Sequence, residues 1–284
     1  MSAPADLAPP AIRELEVDGA EGPLAARLYT GAGTSSRGKK DTLVVFFHSG
    51  GFVGGDLDEA DEFLRHMSSG ACGGASQLVL ASRYTLATER PFPAAIEDAH
   101  AVLKWAKKNK AKLGWNGTHL VVAGIEAGAN LAAVCALMSR DRGGPELASQ
   151  ILVMPMLDPG LSTCSMREVK LDDAMAGVAD ACAASYRGYL PNGADRTHPY
   201  ASPLQSSRLK NLPPALILSA EDDPLCDEAE QYAAKLSAAG VSTTLKRLAV
   251  DSLEDAAARN ECACAESALT EIARFLATLE TSSG

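Results

Sequence analysis

One acidic residue sits where the chain must turn most sharply. Leu120-Val121-Val122-Ala123 is an apolar, β-branched run, Gly124-Ile125-Glu126-Ala127-Gly128 follows it, and an alanine-rich segment begins at Asn130. A strand, a glycine-flanked turn and a helix in that order hold the central side chain at a helix N-terminus, where backbone amides and the helix dipole favour an anion. Glu126 in that place is a candidate general base for an elimination, cyclisation or decarboxylation, or an attacking carboxylate. It is equally a carboxylate that accepts the amide hydrogen bonds and goes no further. Gly50 and Gly51 allow backbone N–H groups to approach a substrate oxygen, and with the Ala127 amide they would make an oxyanion hole; the simpler reading is a tight turn. Asp223, just before Pro224, is the kind of acid that caps a turn or helix. A metal held by Glu126, Asp223 and Asp251 has no ligand spacing behind it, and no cofactor is indicated. Cys262-Ala263-Cys264 is too closely spaced for a zinc ribbon and has no histidine nearby, so both cysteines read as helix residues.

The surrounding pattern supplies the elements that position these groups. Ala11 to Val17 and Leu24 to Tyr29 alternate as a β-hairpin about Asp18–Pro23. Leu43 to Phe47, Gln77 to Ala81, Leu120 to Ala123, Ile151 to Met156, Pro214 to Ala220 and Thr243 to Leu248 read as strands, several apolar enough for burial on both faces. Helices are predicted over Asp58–Ser69, from Pro91 through Trp105 towards Lys112, over Asn130–Ser139, over Ala229–Ala239 and over Cys264–Leu279. Strand and helix alternate, so the fold class is α/β: a mostly parallel sheet with helices on both faces, in a single domain. Between Asp158 and Leu204 the alternation breaks into helical pieces and a polar loop, an insertion suited to a lid or pocket wall.

Composition narrows the partners. A 46% apolar and 22% charged chain of 284 residues has ample material for a buried core. The formal net charge of -10 speaks against nucleic acid or an anionic membrane surface as partner. No apolar run approaches the roughly 20 residues of a bilayer span. Met1 to Asp6 lack the basic flank and apolar stretch of a leader, and seven cysteines without framework spacing fit reduced thiols, so a cytoplasmic location is expected.

Four blocks, in order, resemble one family. Phe47-His48-Ser49-Gly50-Gly51-Phe52-Val53-Gly54-Gly55-Asp56 resembles H-G-G-G-F-x-x-G-D. Tyr84 to Ala99 resembles Y-R-L-A-P-E-x-P-F-P-A-A-x-E-D-A. Gly124 to Ala132 resembles G-D-S-A-G-G-N-L-A, and Pro213 to Glu228 resembles P-P-A-L-x-x-x-A-x-x-D-P-L-R-D-E. Together they look like the hormone-sensitive-lipase branch of the α/β-hydrolases, carboxylesterases and lipases with a mostly parallel eight-stranded sheet and a small helical lid. The resemblance implies the nucleophile position at Glu126, the catalytic acid at Asp223, an oxyanion hole at Gly50, Gly51 and Ala127, and a structural role for His48. Family members often pair through the last strand and helix, which makes a homodimer an option.

The resemblance fails at the chemistry. Glu126 stands where the family has serine, Ile125 replaces the aspartate before it, and Ser49 replaces a glycine. The family's base is a histidine shortly after the last strand; here Val250 to Asp255 contains none, and the five histidines are His48, His66, His100, His119 and His198. A serine hydrolase needs nucleophile, base and acid together. The expected function is therefore binding of a small apolar or ester-like ligand, or a scaffold role, a reading with a parallel in the plant gibberellin receptors. The alternatives are an enzyme of lyase or isomerase type with Glu126 as base, or a weak ester hydrolase using Ser49, Ser252 or Cys164. The environment of Glu126 discriminates: amides satisfied and no cavity favour the first, an open apolar pocket the second.

Overall fold

The structure is a computed structural model that describes residues 9–31, 39–70, 74–169, 176–249 and 256–281. Among these, eight strands form one sheet in the order β1-β2-β4-β3-β5-β6-β7-β8. The hairpin β1 (Ala11–Asp18) and β2 (Pro23–Thr30) is antiparallel, and β2 runs antiparallel to β4 (Leu78–Ser82). From there every pairing is parallel: β4 with β3 (Lys40–Phe47), β3 with β5 (Trp115–Ile125), then β6 (Ser149–Val153), β7 (Ala215–Ala220) and β8 (Thr243–Leu248). The continuous apolar runs explain the middle of the sheet. Every residue of β4, β6 and β7 is buried, as a strand covered by helices on both faces must be.

The helices follow the alternation. They are α1 (Asp61–Ser69), α2 (Ala94–Lys108), the single turn α3 (Lys110–Leu113), α4 (Ala127–Asp141), α5 (Cys164–Arg167), α6 (Ala176–Tyr189), α7 (Cys226–Ala238), α8 (Ala256–Cys264) and α9 (Glu266–Thr281). The long helix expected from Pro91 to Lys112 instead starts after Pro93 and breaks at Asn109. The closing helix expected over Cys264–Leu279 is two helices divided at Ala265, and Cys262 and Cys264 lie in the first of them. Between Asp158 and Leu204 lie α5, α6 and two short 3-10 turns, Gly193–Thr197 and Pro203–Gln205.

The C-terminal ends of β3, β5 and β7 converge on one edge of the sheet, where three turns carry the polar residues singled out above. Asp98, buried in α2, braces this edge by accepting the amides of Ala20 at 2.8 Å and Thr85 at 2.9 Å. The Tyr84–Ala99 stretch in turn supports two neighbours. Ala87 N–H donates to the Phe52 carbonyl at 2.8 Å and Phe92 N–H to the Tyr189 carbonyl at 3.0 Å, tying the glycine loop and α6 to the same frame.

Candidate active site

β5 ends at Ile125 and α4 begins at Ala127, so Glu126 alone makes the turn. Its backbone sits at φ 56°, ψ −111°, a strained conformation for a residue with a Cβ. Three backbone hydrogen bonds hold it there: its N–H donates to Val153 at 2.9 Å, and its carbonyl accepts from Asn130 at 3.1 Å and Met156 at 3.2 Å. The flanking glycines are steric necessities. A Cβ at Gly128 would strike the Phe47 carbonyl, so only glycine lets α4 start this close to the end of β3. The result is a nucleophile-elbow turn presenting a carboxylate.

That carboxylate points into the glycine loop. Its Oε2 accepts the Gly50 amide at 2.8 Å and the Gly51 amide at 3.2 Å. Ala127, buried at the first position of α4, is not among its donors. Gly50 and Gly51 adopt φ of 112° and 61°, which turn their N–H groups inward. Above the loop lies α6. A Cβ on Gly51 would collide with Ser185 Oγ, and the Phe52 ring stacks on Tyr189 with centroids 3.8 Å apart. Glu126 is consequently only 5% exposed.

The third turn contributes Asp223, between β7 and α7. Its Oδ1 accepts the Leu225 amide at 3.0 Å, the local turn contact expected of such an acid. The same oxygen accepts Arg259 Nη2 at 2.8 Å, and Arg259 Nη1 stands 3.5 Å from Glu126 Oε1. Arg259, on α8 and 2% exposed, thus bridges the two acids. Burial works against its charge, but Asp223 and Glu126 outweigh that and hold the guanidinium's pKa up. Sequence reasoning missed this residue because the closing helix was expected to begin only at Cys264, which left Arg259 in no assigned element. A buried arginine carries no sequence mark of its own.

The remaining candidates are accounted for locally. His48 donates from Nδ1 to the Ser49 carbonyl at 2.7 Å and stacks on Tyr84 at 4.3 Å, and burial lowers its pKa: a structural residue of the loop. Ser49 Oγ is buried and exchanges hydrogen bonds with the Asn260 side chain, 3.1 Å from Nδ2 and 3.3 Å from Oδ1. Cys164 is exposed on α5. Cys182, on α6 and within electrostatic reach of Arg259 and Glu126, has its thiol pushed up to about 12 by burial, far from a reactive thiolate. Asp251 and Ser252 lie outside the described residues.

Fold and elbow together define an α/β-hydrolase, and comparison with known proteins agrees. The family model for the alpha/beta hydrolase fold matches residues 44–250. Esterase LipI of Mycobacterium tuberculosis is 37% identical over 231 residues, covering 80% of this chain and 69% of its own length. Carboxylesterase NlhH of the same organism is 39% identical over 206 residues, covering 72% of this chain and 63% of its own. The chain thus spans roughly two thirds of the length of these relatives. Among solved structures, a hyperthermophilic esterase from the archaeon Pyrobaculum calidifontis superposes with TM-score 0.81 at 34% identity, covering 96% of this chain and 86% of that one. The thermostable carboxylesterase EstE1, from a metagenomic library, gives 0.83 at 29% identity, covering 98% and 90%. The chain belongs to the α/β-hydrolase family, on its hormone-sensitive-lipase and carboxylesterase side.

Proposed function

We propose that this chain is a non-hydrolytic member of that family, which binds a small apolar or ester-like ligand or serves as a scaffold. One observation carries the reading: the Glu126 carboxylate accepts the amides of Gly50 and Gly51, the donors expected to serve as an oxyanion hole, and lies against Arg259. An ester carbonyl needs those amides free at the moment its oxygen becomes charged. A general base at Glu126 meets the same obstacle, because the enolate it would create needs the donors that the base is using. Asp223 in turn is engaged with Arg259, where a serine hydrolase needs it to orient a histidine. Residues 158–204 are read as the lid, with α6 as the part that packs over the glycine loop.

The test is hydrolysis of short-chain p-nitrophenyl esters by the protein and by its Glu126→Ser and Glu126→Ala variants. A missing triad lowers turnover by on the order of 10⁴ or more, so all three should run at residual rates. Glu126→Ser restores a nucleophile without a base and should gain little. Brisk turnover by the native chain, lost in Glu126→Ala, would make Glu126 catalytic and end the reading.

A further inference from the structure

The groups around Glu126 form a receptor for a carboxylate. Two backbone donors, Gly50 and Gly51, converge on one oxygen at 2.8 and 3.2 Å, and the Arg259 guanidinium faces the other at 3.5 Å. Paired amides with a cation opposite are a strong and anion-selective arrangement. α4, 15 residues long, adds the positive end of its dipole beneath. A second observation points the same way. Arg259 is buried, yet its Nε has no partner among the described residues. The guanidinium therefore has hydrogen-bonding capacity that its two acids leave unused.

Charge determines which ligand suits the place. With Glu126 present, two carboxylates share one guanidinium; without it, Arg259 and Asp223 balance, and the amides and helix end face an anion-sized space. Glu59 is a further acid in the neighbourhood. Its carboxyl is raised by partial burial first, then by the charges of Glu126 and Asp56. Shape sets the size. Glu126→Ala deletes a CH₂ and a carboxylate, which is the acetate skeleton. Ser185 and the stacked Phe52 and Tyr189 wall the loop from above.

We propose that Gly50, Gly51 and Arg259 form a monocarboxylate-binding site held shut by Glu126 as its own tethered ligand. The proposal rests on the non-hydrolytic reading above and narrows its ligand class from an ester-like molecule to a short carboxylate anion. The tether gives the Glu126 carboxylate a high effective concentration, so the native site exchanges poorly with free acids, and the glutamate acts as an autoinhibitory contact. Withdrawal of that side chain opens the site.

The decisive experiment is calorimetric titration of Glu126→Ala with sodium acetate, with sodium chloride and acetamide as controls. Saturable acetate binding is expected, at least about tenfold weaker in the native chain and at least about tenfold weaker again when Arg259→Gln is added to Glu126→Ala. Acetamide, uncharged but similar in shape, should not bind, and neither should the bulkier pivalate. A folded Glu126→Ala protein that shows no heat with acetate beyond that with chloride overturns the proposal, as does equal binding by the native chain. If Glu126→Ala is recovered only as aggregate, refolding it in acetate or chloride decides: recovery in acetate alone supports the site, equal failure refutes it. Ester hydrolysis by the native chain would sink the non-hydrolytic reading on a separate readout and would leave the acetate titration interpretable.

Discussion

Glu126 and Glu228 are buried acids, each receiving two consecutive backbone amides: Gly50 and Gly51 in the first case, Leu157 and Asp158 in the second. At Glu228 the distances are 2.7 and 2.5 Å, shorter than those at Glu126, yet no arginine is paired with it among the described residues. Its charged neighbours, Asp158 and Asp223, are themselves acidic, and burial foremost pushes its carboxyl well above the usual carboxylate range. Glu228 pins the start of the 158–204 segment to α7, and donors suffice for that. Glu126 has the same grip plus a cation reaching it from α8, on a turn strained to φ 56°. Amide donors alone mark a structural clamp; amide donors with a buried counter-charge mark a place arranged for an anion.

The sharpest way to break this comparison is to remove the cation. Arg259→Met leaves Glu126 and Asp223 buried near each other with nothing between them, and removing one partner of a buried ion pair costs about 3–5 kcal/mol. Urea unfolding should show that loss. A shift below about 1 kcal/mol would mean the arginine is incidental and the two acids are alike after all.

Next in size is the pair of amide substitutions. Glu126→Gln keeps an acceptor for Gly50 and Gly51 but removes the charge facing Arg259, a loss expected near 2 kcal/mol. Glu228→Gln keeps the same acceptor and removes a charge that burial already disfavours, so near pH 7 it should cost less than about 1 kcal/mol or be neutral. If melting curves rank the two in the opposite order, the distinction between clamp and receptor fails.

These residues also show how far the sequence could be read. The strands were legible because a sheet buried on both faces demands continuous apolar runs, as in Leu43–Phe47 and Ala215–Ala220, and the elbow because Gly128 tolerates no side chain against the Phe47 carbonyl. The carboxylate in the glycine loop was foreseeable as one option, since an acid at a helix N-terminus seeks amides. Arg259 was not. Its role depends on α8 folding back so that a residue 36 positions from Asp223 meets it, and long-range pairing of that kind leaves no local pattern. Glu228 was visible only as part of a family motif, since its partners, Leu157 and Asp158, lie about 70 residues away and offer backbone, which has no sequence signature.

The smallest effect concerns pH, and it separates the two acids by sign. The folded-state pKa of Glu228 lies above its unfolded value near 4.5, so folding takes up a proton between the two. The stability that this proton linkage supplies is fully present below the unfolded pKa and is lost as pH rises through the folded one. Lowering the pH by one unit inside that window should therefore stabilise the native chain relative to Glu228→Gln, which has nothing to titrate there. The difference is bounded by about 1.4 kcal/mol per pH unit for a single proton. Paired melts of the two proteins at a series of pH values upward from about 4.5 measure it directly, and taking their difference cancels the titration of every other group that the substitution leaves undisturbed. A difference that stays flat, or grows in the opposite sense, would mean that the Glu228 carboxylate is stabilised by its two amides more than burial destabilises it. Glu228 would then be as much an anion site as Glu126, and Arg259 would no longer tell them apart.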